Sequence, residues 1–323
     1  MNGEQFEAEI REQPAVWASL AASQAATQLA AAIGHRDPLF IGSGSSLFVA
    51  QLAALAWRRH GLRADAVAAS EARFQASAHR HDCVVALSQS GRTADVLDAL
   101  DALDALDPAR TIALTNDVSS PLAMRADVTI PIGAGPERAV PASKSVTAMA
   151  ALLLWTAAGA DASGGADLAA AAAALDVWFG ADAGPAAGRA ATVLEPAHSI
   201  VVIGAGYGVP VAAEIALKIK EASYRHAEGF AAGEFRHGST AILDSGRGTV
   251  GLVDDWSRGS VGAVLDVARA ARTVVVTLDD APAAGGTFGP LFWIAGGQLL
   301  ALALARRAGI DSDAPRGLRK FLA

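Results

Sequence analysis

The chain has 323 residues, 52% of them hydrophobic and 18% charged, with a formal net charge of -7 and an isoelectric point near 5.5. That length sets a prior of about two ordinary domains, and so high an apolar content excludes a disordered chain. The acidic balance excludes nucleic acid or an anionic membrane as the main partner. It leaves open an anionic small molecule held by backbone N–H groups and hydroxyls at a helix start.

No charged segment followed by an apolar core opens the sequence, and the apolar runs, the longest taken to lie around residues 148–160, stay short of a membrane span of roughly 18 residues. A cytoplasmic protein is expected. The single cysteine, Cys83, has no partner for an internal disulfide and fits a reducing compartment.

Residues 1–34 are predicted as a helical arm with Ile10, Val16, Leu20 and Ala21 on one stripe, interrupted at Gln13-Pro14 and too short for a DNA-binding module. From Pro38, PLFIGSGSS reads as strand then turn, and LFVAQLAALAWRRHG as a helix stopped by Gly61. Strands are expected over 64–69, 83–87, 110–115 and 128–132. A helix follows Ser88-Gln89-Ser90-Gly91-Arg92-Thr93, with Asp95, Asp98, Asp101, Asp104 and Asp107 forming a solvated face and no metal site. A long helix starts near Pro141-Ala142-Ser143-Lys144, and the alanine- and glycine-rich residues 158–190 read as a helix with flexible ends joining two lobes.

The pattern then restarts. HSIVVIGAGYGVPVAAEIALKIKEA repeats the strand, glycine turn and helix of PLFIGSGSSLFVAQLAALAWRRHG, and later strands recur at 249–253 and 273–278. The expected fold is α/β: two doubly wound lobes of parallel sheet flanked by helices and related by internal duplication. The arm covers 1–34, the first lobe with its connecting helix 35–185, and the second lobe with a C-terminal tail 186–323. Ligands of such sheets sit at the carboxyl ends of the strands.

Two glycine turns, Gly42-Ser43-Gly44 and Gly204-Ala205-Gly206-Tyr207-Gly208, are incomplete as dinucleotide fingerprints, so no cofactor is expected. Serines 43, 45 and 46, with Ser88, Gln89, Ser90 and Thr93, instead crowd two strand-to-helix turns with neutral donors suited to one phosphoryl group. One serine per helix would be an ordinary cap; this density is more than capping needs. In the second lobe a strand over 199–203 leads to a helix over 209–224, on which Glu214, Lys218 and Glu221 share a face. A loop holding His226, Glu228, Glu234 and His237 is expected to follow.

Only four residues are lysine: Lys144, Lys218, Lys220 and Lys320. In a chain otherwise supplied with arginine, these are candidates for work closed to a guanidinium, such as imine formation or a shiftable pKa. His79, His81 and Cys83 lie close together but lack a fourth ligand, so surface histidines and a core cysteine are expected there and no metal.

ALSQSGRTADVL, PASKSVTAMAALLL, EIALKIKEASYRHAEGFAAGEFRHG and DSDAPRGLRK, in that order, resemble the double sugar-isomerase (SIS) family. Its members include the isomerase half of glucosamine-6-phosphate synthase and stand-alone deaminases and isomerases of amino-sugar phosphates. The resemblance implies that Ser45, Ser46, Ser88, Gln89, Ser90 and Thr93 bind the sugar phosphate. It places the proton-shuttling carboxylate at Glu221, its supports at Glu214 and Lys218, the ring-opening histidine at His237, and the lysine that meets the open-chain carbonyl at Lys320. It also implies a homodimer, with the histidine loop reaching the neighbouring subunit's site.

The residue chemistry is compatible with that assignment. Moving a double bond along C1–C2 needs one base that removes and returns a proton, and ring opening needs a group such as histidine that titrates near neutrality. The chain starts MNGEQF with no cysteine at position 2, so synthesis from glutamine by this chain alone is not expected. Ala142 and Arg92 stand where the synthase pattern has serine and glutamate, which leaves the sugar open. The expected activity is interconversion of an amino-sugar 6-phosphate, glucosamine 6-phosphate by preference, with a ketose 6-phosphate and ammonia. The alternatives are an isomerase or deglycase for another amino-sugar phosphate, or a sugar-phosphate sensor without turnover.

Overall fold

A computed structural model describes residues 2–75, 81–104, 110–278 and 286–320. The chain divides into two compact units. One carries a five-stranded sheet and comprises residues 15–137, 144–170 and 320–323; the other carries a four-stranded sheet and comprises residues 1–14, 138–143 and 171–319.

The chain opens with helices α1 (Glu4–Arg11), α2 (Gln13–Ala21) and α3 (Ala25–Ile33). Then come β1 (Pro38–Gly42), α4 (Ser45–Arg59), β2 (Asp65–Ala68), α5 (Ala69–Gln75), β3 (Cys83–Leu87) and α6 (Ala94–Asp104). These are followed by β4 (Arg110–Thr115), α7 (Pro121–Arg125), β5 (Val128–Pro131), α8 (Lys144–Ala157), α9 (Ala162–Ala181) and α10 (Ala183–Leu194). The second half contributes β6 (Ser199–Gly204), α11 (Gly208–Ser223), β7 (His226–Ala231) and α12 (Ala232–Phe235). A 3₁₀ turn (Ser239–Ile242) precedes β8 (Arg247–Gly251), α13 (Arg258–Ala270), β9 (Val274–Thr277) and α14 (Gly289–Arg307).

In the five-stranded unit the parallel order is β2-β1-β3-β4-β5. Strands β1 (PLFIG) and β3 (CVVAL) are buried at every residue, the unbroken apolar run of a parallel sheet covered on both faces. Helix α8 is likewise buried along its whole length, and the polar side chains it carries inside need partners. One such pair is the Trp17 indole, which donates to Thr147 Oγ1 at 3.1 Å.

In the four-stranded unit the parallel order is β7-β6-β8-β9. Here β6 sits between β7 and β8 as β1 sits between β2 and β3, so the two sheets share one winding. The last residue of each leading strand is a glycine for the same reason. A Cβ on Gly42 would come within 2.7 Å of the Ser46 backbone, and one on Gly204 within 2.0 Å of the Gly208 carbonyl oxygen. The first turn of α4 or α11 packs that closely on the strand end.

Four readings of the sequence change. The segment after α11 is not a loop: Tyr224 ends the helix in a left-handed conformation (φ 57°) and His226–Ala231 forms edge strand β7, with His226 and Glu228 exposed and Ala227 buried between them. The N-terminal arm is three helices, and residues 158–190 hold two consecutive ones, α9 and most of α10. Among the described residues the longest apolar helix is α14, not 148–160. By length and composition α14 would cross a membrane, yet 89% of its 18-residue window is buried inside the protein, much of it against α11.

Candidate functional site

Strands β1 and β3 pair directly, Gly42 beside Leu87, and the chain winds outward from them in both directions. The turns that follow these two strands therefore leave the sheet side by side at its switch point, where open α/β sheets bind ligands. Both turns are the hydroxyl-rich ones. Ser45 opens the fifteen-residue helix α4, Ser46 behind it is buried, and Ser43 Oγ is buried with no hydrogen-bond partner among the described residues.

In the second turn Ser88 Oγ and Thr93 Oγ1 lie 3.0 Å apart, Ser88 Oγ accepts from Gly91 N at 3.1 Å, and Ser90 Oγ accepts from Arg92 N at 3.2 Å. The Gln89 carbonyl accepts from Thr115 Oγ1 and from Asn116 N, which ties the turn to the end of β4. Arg92 points across to Asp117 at 3.0 Å. Bonds from Ser119 and then from Arg92 hold the Asp117 carboxyl below the usual carboxylate range.

The same unit contains the tail lysine. Lys320 Nζ donates to Glu137 Oε2 at 2.9 Å, and Glu137 also accepts from Ser145 N at 3.0 Å and Ser145 Oγ at 2.7 Å. The Glu137 side chain is wholly buried at the N-terminus of α8, where a helix favours negative charge. Burial pushes its carboxyl up. The Lys320 charge and the two Ser145 bonds outweigh that and hold it below the ordinary glutamate range.

The four-stranded unit carries a second group on one face of α11. Lys218 is 2% exposed and donates to Glu221 Oε2 at 2.5 Å, with Glu214 Oε1 on its other side at 3.7 Å. Glu214 is equally buried, whereas Glu221 is 20% exposed. The outermost carboxylate can thus meet a ligand while buried Lys218 holds it and Glu214 faces Lys218 from the other side. Removing one member of a buried charge group typically costs about 3–5 kcal/mol, so Glu214 and Lys218 are bound to each other's presence.

His237 lies two residues beyond α12, exposed, its backbone N–H bonded to the Glu234 carbonyl at 2.9 Å. His226 and Glu228 form an exposed pair at 3.6 Å. His81 bonds the Asp37 carbonyl and faces Asp65 at 3.5 Å, while His79 and Asp107 lie outside the described residues. Cys83 is buried in β3, its thiol pushed up to about 12 by desolvation, which suits packing and not nucleophilic chemistry. Of the acidic face of α6, Asp101 and Asp104 pair with Arg125.

Residues 36–158 and 193–274 match the SIS domain family. The chain belongs to the SIS-domain family. It is 36% identical over 322 residues to glutamine–fructose-6-phosphate aminotransferase (isomerizing) of Aeropyrum pernix, covering 87% of this chain and 50% of that protein. The chain thus spans about half the length of the curated relatives it matches. Glucosamine-6-phosphate deaminase from Thermotoga maritima superposes with a TM-score of 0.84 at 21% identity, covering 99% of both chains. The C-terminal domain of glucosamine-fructose-6-phosphate aminotransferase from Francisella tularensis superposes with a TM-score of 0.82 at 22% identity, covering 97% of this chain and 98% of that one. At these identities the likeness to the solved structures is one of fold.

Within this SIS chain, sequence reasoning missed Glu137. A charged residue in a glycine- and proline-rich stretch (IGAGPERAVPAS) just before a wholly apolar helix was the available signal, since a carboxylate there can serve the helix start.

Proposed function

We propose that the chain is a cofactor-independent phosphosugar isomerase and deaminase that interconverts an amino-sugar 6-phosphate, glucosamine 6-phosphate by preference, with a ketose 6-phosphate and ammonia. The observation that carries this reading is the α11 group: a partly exposed carboxylate, Glu221, hydrogen-bonded by a lysine with almost no solvent exposure. A phosphate-binding sensor needs hydroxyl turns but has no use for a positioned base.

In this reading Ser45, Ser46, Ser88, Gln89, Ser90 and Thr93 hold the phosphate as neutral donors around the β1 and β3 strand ends. Glu221 takes the proton from one of C1 and C2 and returns it to the other, with Lys218 and Glu214 fixing its carboxylate. Lys320 meets the open-chain carbonyl or the imine through which ammonia leaves. His237, exposed in the single chain, opens the sugar ring in the site of a second subunit, so the working form is a homodimer. The names of the relatives support the substrate class: one is a deaminase of glucosamine 6-phosphate, the other an isomerizing aminotransferase of fructose 6-phosphate.

The test is incubation with a panel of sugar phosphates while following released ammonia and aldose–ketose exchange. Ammonia from glucosamine 6-phosphate is the expected result. Exchange without ammonia would reduce the activity to isomerisation, and calorimetric binding of the panel without turnover of any member would make the protein a sensor.

A further inference from the structure

We propose that Glu137 is the positioning residue for Lys320, a buried carboxylate that docks the ammonium of the C-terminal tail where the reaction uses it. This rests on the reading above, in which Lys320 serves the open-chain carbonyl.

The contacts of Glu137 decide between this role and a plain helix cap. A cap for α8 is complete with the Ser145 N–H and hydroxyl, at 3.0 and 2.7 Å. Glu137 nevertheless takes a third partner 183 residues away in sequence, Lys320 at 2.9 Å, on the same oxygen that Ser145 Oγ occupies. A carboxylate with no exposed side-chain surface needs that charge, because burial alone drives it toward the neutral acid.

The tail upstream of Lys320 is anchored within the four-stranded unit. The Asp313 carboxylate accepts from the N–H groups of Gln5 and Phe6, at 3.0 and 2.8 Å. Arg316 N donates to the Tyr224 hydroxyl at 2.6 Å while its guanidinium lies 4.5 Å from the centre of that ring. Arginine occupies positions 316 and 319 of this tail, yet the position that meets Glu137 is one of the chain's four lysines. A compact ammonium on a flexible stem can turn its donors toward both a carboxylate and a substrate, which a planar guanidinium docked by its fork does less readily.

The test is a double-mutant cycle of Glu137→Gln and Lys320→Met, read on turnover of the substrate found in the panel. Glu137→Gln is expected to lower kcat at least tenfold with KM changed less than threefold. Adding it to Lys320→Met should cost nothing further, since a residue that acts only through the lysine has nothing left to position. Losses that multiply in the double variant would overturn the proposal, as would wild-type kcat in Glu137→Gln.

A second measurement is independent of activity and of the folding of Glu137→Gln. In protein carrying carbon-13 glutamate, the Glu137 carboxyl should titrate below the ordinary glutamate range in the wild type and move upward in Lys320→Met. An unmoved midpoint would mean that the pair does not exist in solution. If no sugar phosphate is turned over but the midpoint moves, the proposed reaction fails while the docking of Lys320 stands.

Discussion

The two sheets wind alike, and their switch points hold different chemistry. At the ends of β1 and β3 the turns carry serines and a threonine, with Ser88 and Thr93 in contact at 3.0 Å. At the ends of β6 and β8 the corresponding turns are Gly204-Ala205-Gly206-Tyr207-Gly208 and the segment ending at Trp256, whose ring lies so close over Gly206 that an added Cβ would meet it at 2.5 Å. One switch point is furnished with donors and the other is covered by an indole. In that unit the polar residues lie further along, on α11. In the reading proposed above, the duplicated fold divides two tasks: one copy keeps the turn as an anion site, and the other carries acid, base and acid on its helix.

The largest effect should come from the α11 side. Glu221→Gln keeps the size and one hydrogen bond to Lys218 but cannot take a proton, so kcat should fall about 10³-fold, on the order of 4 kcal/mol of barrier. Sugar-phosphate affinity, measured by calorimetry, should stay within threefold, because the proposed reading gives phosphate binding to the hydroxyl turns. Loss of affinity equal to the loss of kcat would erase the division of labour. The same variant sharpens the role of His237. Mixed with inactive His237→Ala and allowed to exchange subunits, it should regain part of the wild-type activity if each site draws its histidine from the partner; no recovery after demonstrated exchange would place His237 within its own chain's site.

Lys320→Arg comes next, with an expected loss of about a hundredfold in kcat, on the order of 2.7 kcal/mol, at unchanged phosphate affinity. Arginine keeps the charge beside Glu137 but neither sheds a proton nor forms an imine. Turnover near wild type would show that the tail supplies charge alone.

How much of this was legible in the sequence differs between the two units for a physical reason. Strands β1, β3, β4 and β6 are continuous apolar runs between turn residues, and the structure places them within a residue of where that pattern puts them. The α11 group was legible because helix spacing alone puts residues 214, 218 and 221 on one face. Edge strand β7 was not. Its run His226-Ala227-Glu228 has only one apolar side chain to bury, and the signal that it had to be extended was the left-handed Tyr224, a backbone state that no side-chain pattern announces. Glu137 was hidden for another reason: its partner lies 183 residues away, and no local periodicity encodes a contact of that range.

A smaller effect should follow from thinning the donors of the first switch point. Ser90→Ala with Thr93→Ala removes two hydroxyls of one turn, and KM for the sugar phosphate should rise about tenfold, equivalent to about 1.4 kcal/mol, with kcat nearly kept. Neutral donors are individually modest, which is why two are removed together. An unchanged KM would take the phosphate away from this turn.

The smallest effect is expected at the covered switch point, and it is the one that tests the contrast itself. Trp256 is 71% exposed, so truncating it loses little burial, below about 1 kcal/mol of stability. Its turn is held without it: Ser257 N donates to Asp254 Oδ1 at 2.6 Å and Asp254 N donates to Ser257 Oγ at 3.0 Å, a reciprocal pair that keeps the approach to α13 in shape. Trp256→Ala uncovers Gly206 and the start of α11, yet it adds no hydroxyl or cation there. A helix N-terminus without side-chain donors offers an anion only its N–H groups and dipole, a weak competitor to a hydroxyl-lined turn. KM for the sugar phosphate should therefore stay within twofold of the wild type and the melting temperature within a few degrees. If KM instead rose tenfold, as in the Ser90 and Thr93 variant, the indole would belong to the sugar site, and the contrast between the two turns would fail.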